Sequence, residues 1–305
     1  MVIAFPGLCA KTVITLVRRR EDFFRGQYPG WYPVKDDIRM SSTSKFDGLE
    51  MIYKRDLSKV LRAFVGPQHY RVALEVLRIY HRPVDGYARY LFGYGAYPAQ
   101  IHVKTPIGDI GLTIYSHHDM ITVNEVFCRQ DYVSTSKDQI FVDIGSNIGI
   151  SAAYFLTRSH SGFAYLYEPV PSNVARLRRN IAFLEGRFAI EEVAVGIESG
   201  MVRFGIEETG RYGGIGDWRE EQIEVQCVDS NDVLRAIIAK HGRIDVLKVD
   251  IEDLENEVVA RIPRPLWPKI STIYAECRFS DNPMAETHSF RQRGTIARVT
   301  RHGAT

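Results

Sequence analysis

The chain has 305 residues, a formal net charge of +2 and 45% hydrophobic residues. This length suits one large domain, or a smaller domain with an N-terminal extension, and the composition excludes disordered, collagen-like and coiled-coil proteins. The small net charge hides an asymmetry: residues 1–100 hold 16 Lys and Arg against 9 Asp and Glu, whereas residues 101–280 hold 19 against 26. A basic first third fits either an anionic partner or Arg-rich helices that solvate their outer faces, and we expect the second.

The cysteines and the first residues indicate a protein of a reducing compartment. The four cysteines stand far apart, without a CxxC pair or the Cys/His spacing of a zinc site: Cys9, Cys128, Cys227 and Cys277. This pattern predicts neither a disulfide framework nor a structural metal. Residues 1–17 are apolar, but the basic cluster follows this run at residues 18–20, which argues against a cleaved signal peptide. The run is too short to span a bilayer, so we expect a soluble cytoplasmic protein without a transmembrane segment.

The first hundred residues are predicted to be partly helical. No regular structure is assigned to residues 1–50, which are rich in Pro, Gly and aromatic residues. Asp56 is placed to cap a helix that ends before Gly66, and the apolar spacing beyond it predicts a second helix that ends before Pro83. Two apolar runs then predict a β-hairpin over residues 101–115. We place the domain boundary at the start of this hairpin.

From residue 140 onward, short apolar runs of strand length alternate with helical patterns. This alternation predicts an α/β fold in which a doubly wound, mostly parallel sheet carries helices on both faces. Residues 201–228 interrupt the alternation and predict two extra strands around a Gly-rich loop. In the remaining tail, 284–305, residues 295–300 predict one last strand. The strand runs are 140–144, 164–167, 190–195, 246–249 and 272–275, and the helical patterns are 152–156, 174–184, 233–239 and 254–262.

The strongest functional signal is the turn after the first of these strands. Residues 141–151 read F-V-D-I-G-S-N-I-G-I-S, a buried strand that runs through a glycine-containing turn into a helix. Glycines at such a junction let a ligand approach the backbone, and the free N–H groups of a helix start suit a polar ligand. The next strand ends at Glu168, 23 residues after Gly145, where a carboxylate is suited to hold the two hydroxyls of a ribose.

The glycine spacing separates two classes of ribose-containing ligand. A dinucleotide fingerprint has the pattern G-x-G-x-x-G, but its second and third glycine positions, counted from Gly145, are Asn147 and Ile150. The chain instead has D-x-G-x-N-x-G, followed later by Glu168 and Pro169. This pattern lacks a pyrophosphate cradle and favours S-adenosylmethionine, although the strand and the acid by themselves also allow a nicotinamide dinucleotide.

Further motifs surround this turn in a fixed order. H-D-M-I-T at 118–122 precedes it, and Y-E-P-V-P-S-N at 167–173, A-V-G at 194–196 and D-V-L-K-V-D-I-E at 245–252 follow it. Each motif alone is weak, but their order and spacing together are specific. Residues from about 101 to 283 resemble the FkbM family of S-adenosylmethionine-dependent methyltransferases, a branch of the Rossmann-like class I fold.

The resemblance implies a Rossmann-like fold and assigns roles to the turn and to the strand end. It implies that Glu168 binds the ribose of S-adenosylmethionine, and that Pro169 and Val170 lie near the adenine. The residues that it places along the methionine end of the cofactor are Asp143, Gly145, Asn147 and Gly149.

Candidate catalytic residues follow from both the residues and the resemblance. Asp250, Glu252 and Glu276 stand at the ends of two predicted strands, at the sheet edge where ligands of open α/β sheets bind. A carboxylate there can accept a proton from a substrate hydroxyl or help to hold a divalent cation. The alternative is that Asp250 and Glu252 only cap the next helix. The resemblance places His118 close to the cofactor and makes it another candidate base, with His117 beside it.

The predicted organisation is a basic, partly helical region 1–100, a methyltransferase domain 101–283 and a tail 284–305. The predicted activity is methyl transfer from S-adenosylmethionine to an oxygen of a small-molecule acceptor, and the resemblance implies a hydroxyl of a sugar or secondary metabolite. Two alternatives stay open, namely an NAD(P)-dependent oxidoreductase and a non-catalytic binding protein on a degenerate methyltransferase fold. No nucleic-acid partner is expected. Because the tail is short, the sequence predicts an incomplete or diverged end of the sheet.

Overall fold

The computed structural model describes residues 74–206, 213–215, 221–251 and 254–303. The helix predicted from Asp56 and the unassigned residues 1–50 lie outside this range. Residues 74–79 are helical, as the second predicted helix requires. Pro83 has a further role that the sequence did not indicate, because it is the first residue of helix α1 (Pro83–Phe92). Proline suits that position because the first N–H groups of a helix have no partner within the helix.

A seven-stranded sheet forms the centre of the protein, in the order β12-β13-β11-β10-β3-β4-β5. Strands β3, β4, β5, β10 and β11 are parallel to their neighbours within this group. Every residue of β3 and β10 is buried, which is why their sequences are nearly continuous apolar runs. The bounds are β3 Ile140–Ile144, β4 Phe163–Tyr167, β5 Phe188–Glu191, β10 Ile244–Val249, β11 Ile270–Ala275, β12 His288–Arg293 and β13 Ile296–Arg301.

Helices cover both faces of this sheet. On one face, α3 (Ile150–Leu156) and α4 (Pro171–Ile181) share a hydrophobic cluster with Phe141. On the other face, α5 (Ser230–His241) and α6 (Glu255–Ala260) share a cluster with Val142, the neighbour of Phe141 in β3. Adjacent residues of one strand thus enter opposite cores. The predicted doubly wound, Rossmann-like α/β fold is confirmed.

The strand order creates a crevice between β3 and β10. From β3 the chain moves outward through β4 to β5, and it returns to the other side of β3 as β10. At such a switch point the loops leave the carboxyl ends of two adjacent strands in opposite directions, and ligands bind in the space between them.

The end of the chain completes the sheet, which corrects the prediction of a shortened or diverged end. Two strands form where one was expected. β12 and β13 make an antiparallel hairpin, and β13 pairs antiparallel with β11. The turn between them passes through Gly294 at φ +63°. Polar residues dominate β12, so its sequence did not indicate a strand. His288 of β12 is nevertheless buried, with its Nε2 3.0 Å from the carbonyl oxygen of Ile270.

A second, smaller sheet stands beside the main one, in the order β6-β9-β7-β8. It contains the two strands predicted within residues 201–228, which pair antiparallel as β7 and β9. Phe204 of β7, together with Val225 and Cys227 of β9, forms a small hydrophobic cluster with Val170. The bounds are β6 Ala194–Gly196, β7 Gly200–Ile206, β8 Gly213–Ile215 and β9 Glu221–Asp229.

The hairpin predicted near residue 101 is present as β1 (Ala99–Thr105) and β2 (Gly108–Ile114), paired antiparallel. Its buried residues Val103 and Leu112 join the same hydrophobic cluster as Phe155 of α3. The hairpin therefore packs on one face of the main sheet. The limits of the three predicted regions stay a prediction. In the described part of the chain, no helix combines the length and the apolar character that crossing a membrane requires.

Asn180 of α4 fastens the hairpin to the sheet. Its Oδ1 accepts a hydrogen bond from the Thr113 N–H (2.8 Å), and its Nδ2 donates to the carbonyl oxygens of Thr113 (3.1 Å) and Ile148 (2.9 Å). Only 2% of the residue is exposed, so water does not replace these partners when the side chain is lost.

We expect Asn180→Ala to lower the free energy of unfolding by about 2–3 kcal/mol, because it leaves buried backbone groups without partners. Urea denaturation followed by circular dichroism measures the change. Asn282→Ala in the C-terminal segment is the control, since the Asn282 side chain also bonds backbone groups, those of Met284 and His288, but is partly exposed, so water can replace it. A loss no larger than that of the control would contradict the fastening role of Asn180.

Candidate functional site

The turn after β3 begins the site. Its backbone enters the left-handed region at Gly145 (φ +81°), Asn147 (φ +47°) and Gly149 (φ +85°). The N–H groups of Gly145 and Ser146 both donate to the carbonyl oxygen of Tyr167, at 3.0 Å each. These bonds hold the turn against the end of β4, so that the turn and Glu168 lie side by side.

The turn requires glycine at these two positions for a different reason from the one that we expected. A Cβ on Gly145 would stand 1.8 Å from the carbonyl oxygen of Asp250, and a Cβ on Gly149 would stand 2.4 Å from Cδ1 of Leu177. The space that we expected a ligand to use is therefore filled by the protein itself. At Gly145 the missing side chain lets the loops after β3 and β10 touch, and at Gly149 it lets α3 begin against α4.

Glu168 follows β4 and is almost completely buried, with 5% of its surface exposed. One carboxylate oxygen accepts from the Asn147 N–H (2.8 Å), and the other accepts from the Val170 N–H (3.0 Å) and from Nδ2 of Asn173 (3.3 Å). Burial raises the pKa of Glu168 to about 7, although these hydrogen bonds act in the opposite direction. The carboxylate is thus held in a fixed position, and its charge depends on pH near neutrality.

A cleft opens at this point. Its lining combines polar residues, among them Glu168 and Asp250, with apolar residues such as Val170 and Phe204. The lining residues are Gly145, Asn147, Tyr167, Glu168, Pro169, Val170, Asn173, Val193, Ala194, Val195, Phe204, Ile215, Asp250 and Ile251.

Five of the residues that we expected at the cofactor therefore line the cleft, and two do not. Gly145, Asn147, Glu168, Pro169 and Val170 face it. Asp143 and Gly149 lie outside the set of lining residues, because Asp143 is fully buried in β3 and Gly149 faces Leu177.

Lys248 is a site residue that our sequence analysis missed. It lies in β10 with 3% of its surface exposed, and its Nζ is 3.1 Å from Oδ1 of Asp143 and 3.1 Å from Oδ2 of Asp250. It also donates to the carbonyl oxygen of Gly145 at 2.9 Å. Burial alone lowers the pKa of Lys248, but the two carboxylates outweigh burial and raise it. The sequence signal is a lone Lys within a buried strand, since a buried charge needs a counter-charge.

Asp143 lies in β3, before the turn, and its side chain contacts residues of two neighbouring elements. Its Oδ2 accepts from the Ser151 hydroxyl at 2.5 Å, and its other oxygen faces Lys248. Burial raises the pKa of Asp143 while Lys248 opposes this change. Asp143 therefore joins β3, the start of α3 and β10.

Two of the three predicted carboxylates come together at the sheet edge. Asp250 lines the cleft, and Glu276 lies beside it, after the neighbouring strand. The negative charge of Asp250 is the main cause that raises the pKa of Glu276 to about 8, although the Glu276 residue is exposed at the surface. Glu252, the third, lies outside the described residues.

His118 does not stand with this group. It is the second residue of helix α2 (His117–Val123), which Ser116 and Asp119 begin with a capping box. Among the described residues, those that line the cleft do not include His118. Its neighbour His117 is buried, with Nε2 3.2 Å from the carbonyl oxygen of Tyr90. The expectation of a His118 base beside the cofactor thus has no counterpart in the cleft.

A metal site was an open question of the sequence. Within the described ranges, no group of three or more His, Cys, Asp or Glu side chains is arranged to hold a metal ion.

Comparison with known proteins gives the family. The methyltransferase FkbM domain matches residues 143–291. Residues 143–291 are an FkbM-family methyltransferase domain. A relative from Streptomyces tacrolimicus, 31-O-demethyl-FK506 methyltransferase FkbM, is 25% identical over 197 residues, which cover 53% of this chain and 75% of the relative.

Solved structures of methyltransferases are also similar to this chain. A methyltransferase from Geobacter sulfurreducens is 12% identical, with a TM-score of 0.33, over 59% of this chain and 87% of that one. M. capricolum TrmK, in complex with S-adenosylhomocysteine, is 10% identical, with a TM-score of 0.31, over 59% of this chain and 68% of that one. At these scores the superpositions add nothing to the strand order, which defines the Rossmann-like fold by itself.

The matched FkbM domain contains the whole group of site residues. It begins at Asp143 and ends at Arg291, and so includes Glu168, Lys248 and Glu276. The hairpin of β1 and β2 precedes it, and β13 follows it.

Proposed function

We propose that the cleft binds S-adenosylmethionine and that the protein transfers its methyl group to a hydroxyl oxygen of a small molecule, such as a sugar or a secondary metabolite. The observation that carries this proposal is Glu168, a buried carboxylate that is fixed at a strand end in a cleft whose lining includes apolar residues. The name of the Streptomyces relative supports transfer to oxygen, because it describes a substrate that lacks a methyl group on an oxygen.

The chemistry of the lining residues fits this cofactor. A carboxylate has about four acceptor positions, and three of them are used in Glu168. Glu168 can therefore accept one ribose hydroxyl beside its present bonds, and the second ribose hydroxyl when it replaces the 3.3 Å bond from Asn173. Val170 and Phe204 offer an apolar surface for the flat adenine. Gly145 and Asn147 bring backbone groups to the cleft for the polar methionine end.

When bound, S-adenosylmethionine supplies an electrophilic methyl group on a positively charged sulfur. The task of the chain is then to orient a hydroxyl and to remove its proton. Asp250 is the candidate base, since it lines the cleft and its carboxylate is held by Lys248 at 3.1 Å. Glu252 stays a second candidate from the sequence. A positioned base contributes about 100-fold to 10,000-fold in rate, and correct orientation contributes more.

Two alternatives make different predictions for ligand binding. An NAD(P)-dependent oxidoreductase would bind a nicotinamide dinucleotide in the cleft. The absence of the second and third glycines of the dinucleotide fingerprint argues against this alternative. A non-catalytic protein on this fold would bind S-adenosylmethionine without transferring the methyl group. Only a compound that binds the native state raises the melting temperature, so melting curves with S-adenosylmethionine and with the dinucleotide distinguish a methyltransferase from an oxidoreductase. Assays of methyl transfer to a panel of hydroxylated acceptors distinguish a methyltransferase from a non-catalytic protein.

Binding of S-adenosylmethionine is expected to depend on pH through Glu168. The cofactor hydroxyls need the ionised carboxylate, and burial raises the pKa of Glu168 to about 7. Below this value the carboxyl is protonated, so binding weakens by about tenfold for each further pH unit. Affinity should therefore be roughly tenfold lower at pH 6 than at pH 8 in calorimetric titrations.

Glu168→Gln is the control for this pH dependence. The variant shows any titration of the cofactor itself without that of Glu168, so the difference between the two proteins isolates the carboxyl. If the wild type and the variant change in parallel from pH 6 to pH 8, Glu168 does not contact the cofactor through its charge.

A further inference from the structure

Asp250 and Glu276 stand at the same level of two adjacent parallel strands. The last residues of β10 and β11, Val249 and Ala275, are paired in register, so the residues that follow them are neighbours. The pairing continues beyond the strands, because the Glu276 N–H donates to the carbonyl oxygen of Val249 at 3.1 Å. The two carboxyl groups therefore lie side by side, close enough for the charge of Asp250 to act on Glu276.

Among the residues that the structure describes, the surroundings supply too little positive charge for two ionised carboxylates. Lys248, the cation beside them, is shared among Asp250, Asp143 and the carbonyl oxygen of Gly145. Glu125 adds a further negative charge that acts on Glu276. Two carboxyl groups in direct contact retain one proton under such conditions, since both cannot ionise without strong repulsion.

Other groups face Glu276 within the described residues. Tyr132 is buried near the pair, and the charges of Asp250 and Glu276 both contribute to the rise of its pKa. Burial and then nearby charges, including that of Glu276, raise the pKa of the Cys277 thiol to about 12, so it stays neutral. The Thr295 hydroxyl lies 3.4 Å from Oε1 of Glu276. None of these side chains is a cation that would release the shared proton.

We propose that Glu276 is the positioning partner of Asp250 in a carboxyl pair that holds one proton, and that Asp250 uses this arrangement to deprotonate the methyl acceptor. The protonated Glu276 donates to Asp250 and fixes its orientation, with Lys248 on the other side. Of the two, only Asp250 lines the cleft, so Asp250 is the residue that meets the acceptor. This inference rests on the proposed methyltransferase function.

The step balances as a nucleophilic displacement. The bond from the acceptor oxygen to the methyl carbon forms, and the bond from that carbon to sulfur breaks with its electron pair left on sulfur. The hydroxyl proton passes to the carboxylate of Asp250, and water removes it after the product leaves. Glu276 keeps its proton throughout.

The first test needs no acceptor and no cofactor. A carboxyl whose pKa is higher in the folded than in the unfolded protein stabilises the fold at low pH, and this contribution is lost as the pH rises through the folded value. Most of this loss falls between the ordinary pKa of Glu and the folded value of about 8, so wild-type protein should lose about 3 °C or more in melting temperature between pH 5 and pH 9, relative to Glu276→Gln. Glu185→Gln, at an exposed position after α4, is the control and should follow the wild type.

The pair is tested directly by ¹³C NMR of the carboxyl carbons in the same pH range. In wild-type protein the signal of Glu276 should titrate near pH 8. In Asp250→Asn the repulsion is absent, so the midpoint should fall by about one pH unit or more. Titration of Glu276 near its ordinary value in wild-type protein, or an unchanged midpoint in Asp250→Asn, overturns the shared proton.

The positioning role is tested with a hydroxylated acceptor that supports turnover. Glu276→Gln keeps an N–H donor for Asp250, so it should retain at least about a tenth of kcat at pH 7 and lose the change in rate near pH 8. Glu276→Ala should lose about 100-fold in kcat with little change in KM, and Asp250→Asn should lose at least as much. If Glu276→Gln is as inactive as Asp250→Asn, or if its pH profile matches that of the wild type, the positioning role is wrong.

The outcome is separable from that of the proposed function. If S-adenosylmethionine does not bind wild-type protein, the methyltransferase proposal and the base role of Asp250 fail together, whereas the melting and NMR titrations still decide the shared proton. If the cofactor binds and turnover occurs but Glu276 titrates normally, the methyltransferase proposal stands and the pair fails.

Discussion

Replacing Gly145 by Ala is expected to lower the free energy of unfolding by about 4 kcal/mol or more. The new Cβ would stand 1.8 Å from the carbonyl oxygen of Asp250, which is backbone and cannot turn away. Relief requires the loops after β3 and β10 to separate, and this also breaks the bond from Lys248 to the carbonyl oxygen of Gly145. The substitution should therefore abolish cofactor binding even in the fraction that folds. Urea denaturation and calorimetry measure the two effects.

Gly242→Ala is the matched control for this substitution. Gly242 ends α5 with φ +77°, close to the φ of +81° at Gly145, but a Cβ there meets no atom within 4 Å. Its replacement isolates the cost of a left-handed backbone, about 1–2 kcal/mol. If both variants lose the same stability, the contact between the two loops does not require Gly145, and our explanation of the turn is wrong.

Replacing Glu168 by Gln is expected to weaken the binding of S-adenosylmethionine about 100-fold at pH 8, because two charge-assisted hydrogen bonds become neutral or are lost. The amide also turns an N–H group toward one of the backbone N–H groups of Asn147 and Val170, which now bind carboxylate oxygens. The loss should therefore appear as a higher Kd in calorimetry, with the fold retained in circular dichroism.

Glu191→Gln is the control for binding. Glu191 ends β5, the strand next to β4, and its side chain is exposed and outside the cleft. Its replacement removes the same charge from the same edge of the sheet, so general electrostatic effects are included. Equal losses of affinity in the two variants would show that Glu168 acts only through its charge at a distance, and would contradict the ribose contact.

The central part of the fold is predictable from the sequence because its physical causes are local. Residues 140–144 and 246–249 are apolar runs because parallel strands with helices on both faces have no solvent-exposed side. The hairpin β12–β13 was harder to predict, since β12 lies at the edge of the sheet and alternates buried His288 with exposed polar residues. Such an edge strand carries little apolar signal, so only one of the two strands was expected.

The site was predictable where a residue type meets a strand end. Glu168 and Asp250 were identified because the carboxyl ends of parallel strands meet at one edge, and both line the cleft. Lys248 was not identified, because its partners Asp143 and Gly145 are more than 100 residues away in sequence and come near only through the pairing of β3 with β10.

The roles of individual residues were harder to predict from the sequence than the motifs that contain them. Gly149 was expected to make room for a ligand, whereas the structure gives that room to Leu177 of α4. His118 was expected near the cofactor from the resemblance, but its helix packs outside the residues that line the cleft. In both cases the deciding fact is which neighbour occupies a space, and this depends on packing between distant segments.

The central claim is that the cleft beside Glu168 binds S-adenosylmethionine, and calorimetric titration of the wild-type protein at pH 8 tests it most directly. We predict one bound molecule per chain, with a Kd in the range of about 1 µM–1 mM, and at least tenfold weaker binding of a nicotinamide dinucleotide. The absence of heat and of thermal stabilisation with S-adenosylmethionine, or tighter binding of the dinucleotide, would contradict the account.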